Sequence, residues 1–189
     1  MLSEKLKNHT KHNHQELEKK LVAQMRSMRN INDYGKMLTF FYGFFGGLET
    51  EIDQHFNTSG LPDYLQRRKT SALFNDLESL GMKLPELAGD SDLPPITNHL
   101  QSLGALYVIE GSTLGGQIIS KMVQQQLKLQ DNNGLSFFNG YGDSTSQMWQ
   151  IFKQAINQPI EIYQEDIVIE SANNTFFKFS NWFDKQSLS

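Results

Sequence analysis

The sequence predicts an all-α fold, a multi-helical single domain spanning residues 1–189, on three observations. Apolar residues recur with helical spacing along most of the chain, and capping and stop residues punctuate it at helix-length intervals. No alternating run is long enough to make a strand. A chain of this length buries on the order of 70% of its unfolded surface, enough for one sizeable core and too little for two.

The elements follow in order. Ser3 can cap a first helix that runs to about Met25, with Leu6, Leu17 and Leu21 on its apolar side. Asn32 or Asp33 caps a second, from Tyr34 to about Phe56, whose middle, Phe40 to Gly47, is apolar nearly all round and so belongs at the centre of the molecule. A turn at Asn57–Pro62 leads to a third helix between about Arg67 and Leu80, stopped by Gly81. Residues 85–95 read as a loop, with Pro95 suited to the first position of a fourth helix, from about Ile96 to Leu129. Asp131-Asn132-Asn133-Gly134 is a turn. Asp143 or Ser144 caps a fifth helix to about Asn157, and a last one, from about Gln164 to Lys185, carries Ile167, Phe176, Phe179 and Phe183 toward the core.

Composition excludes several classes. The net charge of −4 carries no electrostatic footprint for nucleic acid or an anionic membrane. The absence of cysteine removes disulfides, thiolate metal sites and cysteine nucleophiles. The first residues, Met1 to Lys7, lack the apolar stretch of a signal peptide, and no apolar run is long enough for a membrane span, which points to the cytoplasm.

The fourth helix holds the most informative stretch, Leu106-Tyr107-Val108-Ile109-Glu110-Gly111-Ser112-Thr113-Leu114-Gly115-Gly116-Gln117. Each interior glycine costs a helix about 0.5–1 kcal/mol relative to alanine. Gly104, Val108, Gly111 and Gly115 fall on one narrow stripe nearly free of side chains, and a bend is expected there. Such a stripe serves either a flat ligand lying against bare backbone or close packing of another helix.

The five histidines are the only candidate transition-metal ligands of strength. His14 shares an arc of roughly 80° with Leu6, Thr10, Leu17 and Leu21, so it is expected to face inward, whereas His12 points away and His9 sits at the edge. Glu18, at i+4, can bond a ring nitrogen in the manner of the carboxylate behind a ligating histidine. Lys7 lies two turns upstream at nearly the same angle, roughly 10 Å along the axis, suited to an anion at the edge of a large planar ligand. A buried histidine with a packing role fits the same phase.

Two motifs on separate helices carry a family resemblance. Thr10-x-x-x-His14-x-x-Leu17-Glu18 resembles the proximal-ligand motif of the heme (haem) oxygenases, and Leu103-Gly104 through Gly115-Gly116 resembles the distal-helix motif of the bacterial, biliverdin-producing type. Further matches follow in order: Arg67, Leu73, Asp76-Leu77 and Leu80-Gly81; Phe137-Phe138, Tyr141-Gly142, Trp149 and Phe152; Ala172, Thr175-Phe176, Phe179 and Trp182.

The resemblance implies that heme b, with its iron, sits between the N-terminal helix and a kinked, glycine-containing distal helix. His14 would be the metal ligand. Lys7, Glu18, Tyr107, Val108, Gly111, Gly115, Gly116 and Lys153 would join it in holding heme, and Gly111, Ser112 and Gly115 would line the reacting side. The reaction implied is oxidative cleavage of heme by O2 and reductant to biliverdin, CO and Fe2+, with heme as both cofactor and substrate and a ferredoxin or flavin reductase as electron donor. This sequence departs from the family in two places. Ser112 stands where the animal branch has an aspartate, and Gln150, Lys153 and Gln154 stand where other members have more basic groups.

Competing motifs are weaker. Gly111-x-x-x-x-Gly116-Gln117 lacks the Lys-[Ser/Thr] of a phosphate-binding loop, and no Glu-x-x-His pair supports a di-iron bundle. The Arg67-Arg68-Lys69 run reads as a solvated helix start, His55 as a polar helix end and His99 as a helix-start residue. Two other functions are compatible with the pattern: a non-catalytic heme-binding or trafficking protein of the same fold, and a thiaminase-like small-molecule enzyme of the same helical superfamily.

Overall fold

The computed structural model describes residues 1–129 and 133–187, with the side chains of Gln186 and Ser187 left aside. Among the described residues it is all helical. The order is α1 (Leu2–Ser27), α2 (Ile31–His55), α3 (Ser71–Ser79), α4 (His99–Leu127), the single turn α5 (Ser136–Asn139), α6 (Thr145–Ile156) and α7 (Ile162–Ser187). No helix among them is long and apolar enough to cross a membrane.

Several boundaries differ from those read in the sequence, each for a local reason. The second helix starts earlier because Asn30 is its cap: its Oδ1 accepts from Asp33 N at 3.0 Å, while Asp33 Oδ2 accepts from Arg29 N at 2.7 Å. The fourth starts later because Asn98 caps it, accepting from Gln101 N at 3.1 Å, and Gln101 Oε1 reaches back to Thr97 N at 2.8 Å. Pro95 stays in the loop. The third helix begins only at Ser71, since Arg67 to Thr70 are drawn inward by contacts described below. Gly81 ends it as expected, with φ +64°. Of the turn at 131–134, Asp131 and Asn132 lie outside the described residues, and Gly134 has φ +77°.

α2 is the central helix. Its Phe40, Phe41, Phe44 and Phe45 are buried and interlock with Phe137 and Phe138 of α5 and Phe179 of α7. Phe44 stacks on Phe179 with centroids 4.7 Å apart, and Phe41 meets Phe138 edge-on at 5.0 Å, arrangements that favour aromatic pairs beyond their buried area. α5 is pinned to this core by Asp76 of α3, whose carboxylate accepts from Ser136 N, Ser136 Oγ and Phe137 N at 2.9, 2.6 and 2.9 Å.

The last helix turns Val168, Phe176 and Phe179 fully inward, while Ile167 and Phe183 are half-buried. It packs on α4 at Gly104, where an added Cβ would lie 2.7 Å from Ser171 Cβ and 2.9 Å from Ala172 N. α1 lies beside α7 as well, tied to it by Asn13 on Asn173 and by Lys20 on Asp184. α1 and α4 are thus held along α7 with their facing sides apart.

Candidate functional site

The gap between α1 and α4 is a cleft of about 760 Å3, within the 300–1,000 Å3 usual for small-molecule sites. One wall is α1, which presents Lys7, Thr10, His14, Leu17 and Glu18. The opposite wall is α4, with Tyr107, Val108, Gly111, Ser112 and Gly115. Phe41, Phe45, Phe138, Phe176 and Phe179 close the back, and Trp149 and Lys153 of α6 stand at one end.

His14 borders the cleft without being buried: it is largely open to solvent and touches the edge of Phe176, centroids 5.5 Å apart. The inward phase expected of it thus leads to the cleft and not into the packed core. The helix phase aims His14 at a gap between helices, and such a gap leaves an imidazole exposed. Glu18 is also exposed and lines the cleft, but among the described residues no hydrogen bond joins it to His14.

The glycine stripe divides in two. Gly104 serves helix packing, as its contacts with α7 show. Gly115 faces open space, with nothing within 4 Å of an added Cβ, and at Gly111 the nearest atom is Trp149 Cη2 at 3.7 Å. Gly116 belongs to neither cleft nor stripe. An added Cβ there would meet the Phe138 carbonyl at 2.5 Å, so this glycine seats α5 on α4 and does not border the cleft, contrary to its expected contact with a ligand. α4 is one continuous helix from His99 to Leu127, with the glycines in its middle turns.

Tyr107 is buried, and desolvation raises its phenol above the ordinary range while a bond with Thr10 of α1 pulls the other way. The basic groups collect at the α6 end. Lys7, Lys11 and Lys153 all line it, accompanied by Glu4, and Lys153 Nζ lies 6.0 Å from the Trp149 ring centre. Lys7 and Lys11 reach no acidic partner among the described residues. Toward the other end the lining is apolar, with Leu21, Val22, Met25, Ile119 and Met122.

Behind α4 lies a polar cluster that the sequence did not reveal. Arg67 and Arg68, read as a solvated helix start, are 3% and 9% exposed. Arg67 Nη1 donates to Glu110 Oε2 at 2.5 Å, and its Nε and Nη2 form a fork on Asp63 at 3.0 Å each. Tyr141 donates its phenol proton to Glu110 at 3.0 Å and accepts from Arg68 N at 3.0 Å. Burial raises the Glu110 carboxyl above its usual range, opposed by Arg67 and Arg68. The one signal in the sequence was Glu110 itself, a lone carboxylate inside the run Leu106-Tyr107-Val108-Ile109, which a buried helix tolerates only with a cation opposite.

The arrangement is thus a deep apolar cleft with one imidazole on one wall, bare helix backbone on the other and free ammonium groups at one end. Comparison with known proteins gives the same direction. The heme oxygenase family model matches residues 1–185. The chain is 27% identical over 135 residues to a heme oxygenase of Xanthomonas campestris, covering 70% of this chain and 76% of that one. In fold it is similar to heme oxygenase from Leptospira interrogans, with a TM-score of 0.79, 18% identity and coverage of 97% of this chain and 98% of that one. It is similar also to the NO- and CO-bound enzyme of Neisseria meningitidis, at 0.81 and 20%, covering 98% and 92% of the two chains. A third is the Synechocystis enzyme in complex with heme, at 0.71 and 20%, covering 97% and 91%. A match over nearly the whole length, together with this cleft, means that the chain belongs to the heme oxygenase family.

Proposed function

We propose that heme occupies the cleft between α1 and α4 with His14 as its iron ligand, and that the chain catalyses the family's general reaction, the oxidative cleavage of heme to biliverdin, CO and Fe2+. The observation that carries this reading is the pairing across one cleft of a free imidazole with two glycines, Gly115 with open space before it and Gly111 with only the Trp149 ring edge in contact range. A disc-shaped group with an iron at its centre and carboxylates on its rim matches that lining, its carboxylates toward Lys7 and Lys153 and its apolar edge toward Met25 and Met122. When bound, heme supplies the redox-active iron that activates O2, and it is itself the substrate.

The protein's own residues do the rest. His14 offers a neutral nitrogen donor, which leaves a ferric or ferrous centre its charge and its ability to bind O2. Gly111 and Gly115 let the porphyrin approach α4 within contact distance and keep oxidisable side chains away from the reacting edge. Tyr107 and Val108 give that wall its contact surface, and Phe41, Phe45 and Phe138 exclude bulk water from the back. Lys7 and Lys153, which line one end of the cleft, would hold the propionates as point-charge partners. Electrons come from a soluble donor, a ferredoxin or flavin reductase, which fits a cytoplasmic setting.

Hemin titration followed by absorption spectroscopy tests the reading. One equivalent is expected to give a sharp Soret band, and addition of reductant under air to give biliverdin. His14→Ala is expected to lose the histidine-type spectrum and most turnover, with partial recovery by added imidazole. An unchanged spectrum transfers the ligand to His9 or His12 and refutes the assignment. Glu18→Gln is expected to do less harm, because the exposed carboxylate makes no bond to His14.

A further inference from the structure

Ser112 lines the cleft, yet its hydroxyl hydrogen is already used. The Oγ donates to Ile109 O at 2.6 Å and accepts from Arg68 Nη2 at 2.8 Å. The same Nη2 donates to Ile109 O at 2.8 Å, so arginine, serine and carbonyl form a closed triangle. A hydroxyl has one hydrogen and two lone pairs. With the hydrogen on Ile109 and one lone pair on Arg68, Ser112 has a single lone pair left for the cleft.

Arg68 is fixed from behind on three further sides. Its Nη1 donates to Phe137 O at 3.2 Å, its guanidinium lies 3.9 Å over the Phe137 ring, and its backbone N–H donates to Tyr141. Its Nε is buried without a protein acceptor, and Arg68 borders a cavity of about 10 Å3 shared with Glu49 and Glu110, room for one water. Burial lowers the guanidinium only to about 10, against the pull of Glu110, Tyr141 and Glu49, so it is charged at neutral pH. A lysine has no planar fork and cannot span Ile109 O, Phe137 O and Ser112 Oγ together.

We infer that Arg68 is a positioning residue of the distal wall, which fixes Ser112 as a hydrogen-bond acceptor, and not a donor, toward a water or other O–H group held against α4. The proton needed in the cleft then comes from that guest and not from the serine. Arg68 acts only through the Ser112 hydroxyl and the Ile109 carbonyl, without touching the ligand. This inference rests on the heme reading above.

A mutant cycle tests it on the hemin-loaded protein, using wild type, Ser112→Ala, Arg68→Lys and the double variant. The readout is the pH midpoint of the visible spectral change of the ferric complex. A water that donates to Ser112 holds its proton to higher pH, so each single variant is expected to lower the midpoint by at least half a unit, about threefold in the constant, and the double variant no further. Additive shifts overturn the inference, as does a Ser112→Ala midpoint that rises or stays put. So does an Arg68→Lys variant that lowers only the melting temperature. Failure of wild type to give a Soret band refutes the heme reading instead. Should Arg68→Lys not fold, side-chain 15N spectra of the unloaded protein decide: Ser112→Ala is expected to move the Arg68 Nη resonances and leave those of Arg67 in place. Unmoved Arg68 signals overturn the inference.

Discussion

Gly104 and Gly115 occupy the same stripe of α4 and are expected to respond to alanine with opposite signs. At Gly115 a new Cβ meets nothing within 4 Å, so Gly115→Ala gains the helix propensity difference, about 1 kcal/mol, in the heme-free protein. At Gly104 the new methyl would meet Ser171 Cβ at 2.7 Å and Ala172 N at 2.9 Å, and backbone cannot turn aside as a flexible side chain can. Overpacking costs about 1–3 kcal/mol, and three contacts under 3.0 Å, two of them to backbone, put this site at about 2–3 kcal/mol, which the propensity gain only partly offsets, leaving a net loss of about 1–2 kcal/mol. For a domain of this size about 2–4 °C accompanies each kcal/mol. Circular dichroism melts of the heme-free proteins are therefore expected to show Gly115→Ala raised by about 2–4 °C and Gly104→Ala lowered by about 2–8 °C. Hemin binding should invert the ranking: Gly104→Ala binds normally and Gly115→Leu, which fills the space before α4, loses most of its affinity. A Gly115→Leu protein with normal hemin affinity and biliverdin yield refutes the division of the stripe into a packing half and a ligand half.

Three other outcomes follow from the geometry. Lys7→Ala and Lys153→Ala are each expected to weaken hemin binding less than tenfold, since exposed pairs contribute about 0.2–1 kcal/mol. The mixture of biliverdin isomers should shift more visibly, and an identical single isomer by chromatography in both variants and the double mutant removes the two lysines from ring orientation. Glu110→Ala leaves Arg67 and Arg68 buried opposite a methyl group. With the Asp63 fork retained, a loss of about 3 kcal/mol in urea unfolding is expected, at the low end for breaking a buried pair, and a loss within experimental error refutes it. His99 accepts from Asn57 N through Nδ1 at 3.1 Å and is held below its ordinary pKa by burial, so the folded state prefers it neutral. As pH falls below about 6.5 the unfolded chain takes up the proton first, so this contribution is complete above that pH and declines below it, down through the folded pKa. His99→Gln should flatten the urea midpoint between pH 7 and 5 relative to wild type, and parallel curves contradict the assignment.

The helices were legible because their periodicity is local, and so was the cleft, since the phases of His14 and the glycines are properties of single helices. What pairs with what across the interior was not. Gly104 and Gly115 have equivalent phase, and only the partner opposite, α7 in one case and open space in the other, separates their roles. Gly116 sits one residue off the stripe and meets α5, which no spacing rule anticipates. The Arg67-Arg68 pair looks like surface charge because its counter-charge, Glu110, lies 43 positions further along the chain. The Asn30 and Asn98 caps were missed for smaller reasons: Asn32 and Asp33 are equally good capping residues beside Asn30, Pro95 suits an earlier start for the fourth helix, and only hydrogen bonding distinguishes them.

The clamping of α4 from behind has a consequence for affinity. A helix carrying Gly111, Gly115 and Gly116 in its middle turns would be loose if free, and a guest lying on it would have to order that backbone as it bound. Here Arg68 grips the Ile109 carbonyl, Glu110 is fixed by Arg67 and Tyr141, and Gln117 Nε2 donates to Gly142 O at 2.6 Å, so the segment is tied on both sides of the glycines before any guest arrives. The entropy of ordering is met during folding, by groups that never face the cleft. Contact between a flat ligand and bare backbone can then count toward binding instead of being consumed in stiffening the wall.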